Sequence, residues 1–124
     1  RNTWNAGDGD GDGNMRSISV EICHSLSGGE RFTQAEKNAA EFIASILKRK
    51  GWGINRVKKH QDFNGKYCPH RTLDMGWQRF LNMVREFLGQ EAKPIEPPKP
   101  VRPLQDLGPV DCIYQVLQIS GGHR

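Results

Sequence analysis

Apolar and polar residues alternate over residues 17–23, and this alternation predicts a β-strand because successive side chains of a strand point to opposite faces. One face carries a carboxylate, Glu21, at its centre, and an exposed position is the simplest interpretation of that residue. The other face is apolar and is expected to pack on a core. It consists of Ile18, Val20 and Ile22.

Two later segments repeat apolar residues at steps of three and four, which is the period of an α-helix. The first covers residues 33–50, where Thr33 and Glu36 match a capping box and Gly51 follows the last turn. The second covers residues 73–88. Both apolar stripes are typical of helix faces that pack on a core. They consist of Ala35, Ala39, Phe42, Ile43, Ile46 and Leu47 in the first helix and Trp77, Phe80, Leu81, Val84, Phe87 and Leu88 in the second.

Glycine and proline mark the remaining segments. Glycine alternates with aspartate over residues 5–14, which predicts a loop. Six of the seven prolines fall within residues 90–109 and predict an extended linker. A strand is predicted at 110–119. The chain therefore divides into a domain at residues 1–89, the linker, and the start of a truncated second domain at 110–124.

Length and charge narrow the function classes. The chain has 124 residues, enough for one small domain, and no apolar run near the roughly 18–20 residues of a membrane helix. The net charge is +4, with its densest cluster between Lys48 and Lys59. A nucleic acid and an anionic bacterial wall both suit such a surface. The three cysteines, which cannot all pair with one another, are interpreted as reduced or metal-bound: Cys23, Cys68 and Cys112.

Candidate chemistry lies between the two predicted helices. His60 and Cys68 are eight residues apart, across a loop that contains Gly65. An imidazole nitrogen and a thiolate sulfur are good zinc ligands, although a catalytic zinc usually has three protein ligands. Spacing alone also allows a second interpretation, in which His60 ends a strand and Cys68 is a small buried apolar residue.

Several motifs occur together. They are the strand Ser-Ile-Ser-Val-Glu-Ile-Cys at 17–23, Asn-Ala-Ala at 38–40, Trp-Asn-Ala-Gly-Asp-Gly at 4–9, and the segment from His60 to His70 with Lys66 two residues before Cys68 and its following proline. Together they resemble the zinc-dependent N-acetylmuramoyl-L-alanine amidases of the type 2 family. That family includes phage endolysins and bacterial autolysins and is related to the animal peptidoglycan recognition proteins. The resemblance covers residues 4–88.

The resemblance implies an α/β fold that is incomplete at the N-terminus. In this fold helices flank a mixed central sheet, and a metal lies at one edge of the sheet. It implies that Zn2+ is bound by His60 and Cys68 and that Glu21 and Lys66 are catalytic. Glu21 would carry a proton from water to the leaving amine, and Lys66 would stabilise the oxyanion. The implied reaction cleaves the amide between N-acetylmuramic acid and L-alanine. The partner would be bacterial peptidoglycan, with no nucleic acid and no membrane insertion, and the protein would act on the cell wall as a monomer.

The chain departs from the family in two places. The family's remaining zinc ligand is a histidine on an early strand, and nothing before Trp4 supplies it; Asn5 stands where many relatives carry histidine. Three other histidines are not expected to replace the ligand: His24, His70 and His123. Since the chain also begins with Arg1, we expect an internal piece of a longer wall hydrolase, which binds zinc weakly in this form.

Two other functions stay open at this point. One is a module that binds peptidoglycan without cutting it. The other is a basic nucleic-acid-binding domain built on a zinc knuckle, although the repeated Cys/His pairs of such modules are missing.

Overall fold

The computed structural model describes residues 4–23, 25–26, 28–95 and 114–120, the last of these as backbone. No helix within these ranges is both long enough and apolar enough to cross a membrane. The strands are β1 (Ser17–Cys23), β2 (Val57–Lys59) and β3 (Tyr114–Ser120), and a single 3-10 turn covers Ile54–Arg56. The helices are α1 (Asp12–Arg16), α2 (Gly29–Lys50), α3 (Gln61–Asn64), α4 (His70–Met75) and α5 (Trp77–Leu88).

The three strands form one sheet in the order β1-β3-β2. β3 is antiparallel to both neighbours, with Glu21 opposite Val116 and Lys59 opposite Leu117. The predicted combination of helices with a sheet is confirmed, as are the predicted bounds of β1. The predicted mixture of parallel and antiparallel pairs is not seen, because both pairings among the described strands are antiparallel.

The strand predicted at residues 110–119 falls partly outside the described residues, and its described part is β3. This strand lies in the middle of the sheet that the preceding domain builds. A proline-rich linker can precede such a strand, which then completes the sheet of the preceding domain instead of starting a second domain. The boundaries at 90–109 and 110–124 therefore stay predictions.

The core lies between one face of the sheet and the helix pair α2 and α5. The apolar face of β1 contributes Val20 and Ile22, as its alternation predicts, and β2 contributes Val57. Ile18 is more than a third exposed, at the end of the same face. Of the predicted helix stripes, Phe42 is half exposed, and the buried members are Ala39, Ile43, Ile46, Leu47, Phe80 and Val84. The core also contains three residues of α2 that the stripes did not include: Phe32, Ala40 and Ala44.

The start of α2 differs from the prediction. The helix begins at Gly29, not at Thr33, and no side chain caps its first turn. The Thr33 hydroxyl donates to the Gly29 carbonyl one turn back, at 3.2 Å. Glu36, the expected partner in a capping box, is fully buried in the second turn. The capping-box prediction is wrong because a threonine and a glutamate at this spacing also suit the interior of a helix.

The second predicted helix is two helices. α4 ends at Met75 and α5 begins at Trp77, with Gly76 between them at φ 109° and ψ 115°. A backbone with that positive φ is open to glycine and strained for residues with a Cβ. The apolar stripe that predicted this helix starts only at Trp77, so it carries no sign of the break at Gly76.

An ion pair joins the two long helices. Both carboxylate oxygens of Glu36 accept hydrogen bonds from Nη2 of Arg79, each at 2.7 Å. The Glu36 side chain is fully buried, whereas the Arg79 side chain keeps 26% of its surface exposed. Nε of Arg79 also donates to the carbonyl of Met75, at 3.2 Å. The pair thus links α2, α5 and the last turn of α4.

Removing one partner of this pair should destabilise the fold. Arg79→Ala leaves a carboxylate buried without a countercharge, and we expect the free energy of unfolding to fall by about 3 kcal/mol. The double change Glu36→Leu with Arg79→Leu removes both charges and should recover most of that loss. Urea unfolding followed by circular dichroism measures the difference.

Lys37→Ala serves as the control, because this exposed lysine of α2 should change the free energy of unfolding by less than about 0.5 kcal/mol. A double variant no more stable than Arg79→Ala alone would contradict the assignment of the loss to an uncompensated charge.

Candidate active site

A closed loop between β2 and α4 brings His60 and Cys68 together. His60 follows β2 directly and precedes α3, and Gly65 turns the chain back with a φ of 81°. The backbone N–H of Gln61 donates to the carbonyl of Cys68 at 3.2 Å, which closes the loop. The Asp62 carboxylate accepts the N–H of Lys59 at 2.9 Å and fixes the end of β2.

His60 is the buried histidine of this loop. The residue is 7% exposed. Neither ring nitrogen makes a hydrogen bond of normal distance and angle to any described residue. Its pKa lies below the ordinary value, first because burial disfavours the charged ring and then because Lys66 repels it; the Ala6 backbone and the Asp8 carboxylate act weakly in the opposite direction. The ring is therefore neutral at neutral pH, the form that binds metals.

The other two residues predicted in this loop also lie at the site. Cys68 is buried, with only 1% of its surface exposed, and forms no disulfide among the described residues. Lys66 is exposed, its backbone N–H donates to the Asn64 side chain at 2.9 Å, and its charge acts on the His60 ring. The loop thus collects an imidazole, a thiol and an ammonium group in one place.

Glu21 lies on β1, at the opposite side of the sheet's middle strand from β2. It is exposed and faces away from the core that Val20 and Ile22 enter. Its partner on β3 is Val116, whereas the pairing of β2 with β3 ends at Lys59, and His60 already has the backbone angles of a helix. Two strand spacings separate β1 from β2, roughly 10 Å between backbones. The structure therefore places Glu21 two strands away from the strand that leads into His60.

A groove of about 380 Å3 lies along the outer edge of β1, against α2. Glu21 lines it together with Cys23, Asn38 and Phe42, among others. His60, Lys66 and Cys68 do not. The groove beside Glu21 and the loop with the candidate ligands are therefore two separate surfaces.

The glycine-rich segment before α1 is more ordered than its composition predicts. Both oxygens of the Asp8 carboxylate accept backbone N–H groups, from Gly13 at 2.7 Å and from Asn14 at 3.0 Å. The buried Asn14 side chain in turn accepts the N–H of Ala6 at 2.8 Å. The prediction of a loop over residues 5–14 is wrong beyond Gly11, where α1 begins.

This segment forms one wall of the site, which the sequence reading did not anticipate. Gly7 has a φ of 67°, and a Cβ there would lie 3.7 Å from Nε2 of His60 and only 2.3 Å from Nδ2 of Asn64. A side chain at position 7 would therefore strain the backbone and push the end of the Asn64 side chain aside, with its Cβ in van der Waals contact with the His60 ring. The signal in the sequence was the glycine directly before Asp8.

Arg71 is a second residue that the sequence analysis missed. From the first turn of α4, its guanidinium donates to the carbonyl of Ser25 at 3.1 Å and lies over the Phe32 ring at 5.3 Å. A Cβ on Gly28 would meet it at 2.4 Å. Arg71 thus ties the segment after Cys68 to the connection between β1 and α2.

The donor set suits zinc in kind, and two members of it lie in this loop. A neutral imidazole with two unsatisfied buried nitrogens and a buried thiol are zinc ligands. The described residues contain no group of three or more His, Cys, Asp or Glu side chains placed to hold a metal. His70 is buried at the start of α4, and Cys23 is exposed. His24, Cys112 and His123 lie outside the described residues.

Known proteins share both the sequence and the fold. Over 77 residues the chain is 62% identical to the N-acetylmuramoyl-L-alanine amidase CwlA of Bacillus subtilis (strain 168), covering 61% of this chain and 28% of that protein. Over 90 residues it is 58% identical to the N-acetylmuramoyl-L-alanine amidase XlyB of the same organism, covering 71% and 28%. The solution structure of the PlyG catalytic domain matches with a TM-score of 0.67 and 44% identity, covering 76% of this chain and 58% of that one.

The chain thus spans less than a third of these two curated relatives and just over half of that catalytic domain. The model of the family described as N-acetylmuramoyl-L-alanine amidase matches residues 1–71, more than half of the chain. The likeness seen in the motifs of residues 4–88 is therefore confirmed, and the chain belongs to the N-acetylmuramoyl-L-alanine amidase family.

Proposed function

We propose that this chain is the C-terminal portion of an amidase domain that hydrolyses the amide between N-acetylmuramic acid and L-alanine in bacterial peptidoglycan. The observation that carries the proposal is the loop in which a buried, unpartnered His60 and a buried Cys68 are held together beside Lys66. Relatives named as amidases of this type support the substrate. The site of action would be the cell wall.

His60 and Cys68 would hold Zn2+, and the orphaned ring nitrogens of His60 are the structural reason. A bound zinc supplies Lewis-acid polarisation of the scissile carbonyl and a more acidic water. The protein's part is to keep the His60 ring in its metal-binding form. Burial and the Lys66 charge lower the pKa of His60, so the ring has no proton to lose on binding, whereas the Cys68 thiol must give up its proton to the solvent.

Lys66 and Glu21 are the two proposed catalytic groups. Lys66 carries a positive charge two residues before Cys68 and would stabilise the negative charge that develops on the carbonyl oxygen. Glu21 is an exposed carboxylate on the outer face of β1 and would take a proton from the attacking water and deliver it to the leaving amine.

A peptidoglycan-binding module without catalysis is the competing function, and the presence of only two candidate ligands among the described residues favours it. One assay on purified walls distinguishes the two functions. A binder sediments with purified walls and releases no amino groups from them, whereas an amidase releases new N-terminal amines.

Metal binding should depend on Cys68 and not on Cys23. We expect Cys68→Ser and His60→Asn to lower zinc affinity by more than the roughly 10- to 100-fold that loss of an outer-shell group causes. Zinc titration and the charge-transfer absorption of a cobalt–thiolate bond in the 124-residue chain measure this.

Cys23→Ser is the matched control, since Cys23 is a free and exposed cysteine. Equal zinc affinity in the Cys68 and Cys23 variants would remove the ligand assignment, whatever the activity of either protein.

Catalysis should depend on Lys66 and Glu21 without any change in metal content. In the protein encoded by the complete reading frame, Lys66→Met should lower kcat roughly 100- to 1,000-fold and Glu21→Gln roughly 100- to 10,000-fold. Release of amino groups from purified peptidoglycan measures the rate, and zinc analysis measures the content.

Two exposed residues away from the loop provide the controls: Lys93→Met and Glu41→Gln should leave kcat unchanged. A Lys66 variant with near-native kcat and full zinc would show that Lys66 is a loop lysine without a catalytic role.

A further inference from the structure

A basic surface adjoins the candidate site and takes no part in it. Between Glu41 and Asp62 the chain has six cationic residues and no carboxylate. Lys59 is the one member of the six that pairs with Asp62. The other five define what we call the basic end of the domain: Lys48, Arg49, Lys50, Arg56 and Lys58.

The charges of the basic end are not neutralised within the fold. None of the ion pairs among the described residues includes any of its five members. Four of the five are exposed and Arg56 is half-buried. The negative end of the α2 dipole, worth about half a unit charge, offsets only part of the three charges on its last turn. A net positive surface remains.

Two turns keep the basic end compact. The N–H of Trp52 donates to the Leu47 carbonyl at 2.9 Å, which folds the chain back on the end of α2. The N–H of Arg56 donates to the carbonyl of Gly53 at 3.1 Å and leads directly into β2. The first and last cations of the basic end are ten positions apart, so even a fully extended chain would place them within roughly 35 Å of each other.

The basic end directly precedes the candidate ligands along the chain. Lys58 lies on β2 two residues before His60, and its strand position shares a row with Ser19, on the face that also presents Glu21. A polyanion bound to the basic end would therefore run beside the loop of His60 and Cys68.

We propose that the basic end binds the phosphate groups of a polyol-phosphate polymer attached to the bacterial wall and so holds the site against its substrate. This inference rests on the proposed function for its setting. A polyol-phosphate chain, which has no bases, is favoured over nucleic acid because the basic end presents no exposed stacking aromatic; Trp52 is half-buried, and its ring centre lies 5.9 Å from Nζ of Lys50. Several lysines, each a mobile point charge, suit a flexible chain of separated phosphates.

The test compares two double variants of the 124-residue chain that lose the same charge. Lys48→Gln with Arg49→Gln removes two charges from the basic end. Arg31→Gln with Lys37→Gln removes two exposed charges near the other end of α2. Binding to poly(glycerol phosphate) is measured by calorimetry, with poly-L-glutamate and single-stranded DNA of equal charge as comparison probes, after thermal unfolding has shown that both variants fold.

We expect the first double variant to bind poly(glycerol phosphate) roughly 10-fold more weakly than the native chain and the second to bind within twofold of it. Raising NaCl from 50 to 200 mM should weaken native binding on the order of 10- to 100-fold. Equal losses in the two variants, or binding of either comparison probe as tight as that of poly(glycerol phosphate), would overturn the proposal.

A wall assay separates this proposal from the enzymatic one. Native protein should sediment with intact walls and much less with walls from which the phosphate polymer has been extracted. Undiminished binding to extracted walls would assign the anion to peptidoglycan carboxylates and overturn the proposal, whether or not the protein hydrolyses a soluble muropeptide. Loss of that hydrolysis with polymer binding intact would overturn the proposed function alone.

Discussion

The alternation of side chains along β1 is the constraint on which the arrangement of this molecule depends. Because a strand has a period of two, sending Val20 and Ile22 into the core forces Glu21 to the opposite face. Helices α2 and α5 cover the apolar face, and the Glu36–Arg79 pair locks them together. The polar face stays exposed at Glu21, and the loop that begins at His60 follows β2, the strand at the other side of the sheet from β1.

Features set by neighbouring residues could be predicted from the sequence. The bounds of β1 were correct to the residue, and the segment from His60 to Cys68 was correctly singled out as one unit. Both depend on short-range patterns: alternation in the strand, and a glycine that lets the chain reverse within eight residues. Whether the unit binds zinc stays a prediction, and so do the roles of Glu21 and Lys66.

The errors arose where a distant residue decides the local structure. Glu36 resembles a capping residue in its own segment, and only Arg79, forty-three positions away, explains why a carboxylate is buried there. The wall formed by Gly7 beside His60 and the contact of Arg71 with Ser25 are also tertiary. No periodicity along the chain could have revealed them, because periodicity reports which face is buried and not what lies against it.

The position of β3 has a consequence for the order in which the sheet can be completed. β1 and β2 do not pair with each other, and the strand that joins them lies more than fifty residues beyond β2. A ribosome therefore releases both outer strands long before their common partner exists. Closure of so large a loop is slow compared with formation of α2 or α5, so the helices can assemble first and the hydrogen-bond ladder last. Until that late step, the backbone edges beside Glu21 and Lys58 would be open to any extended peptide in the cell.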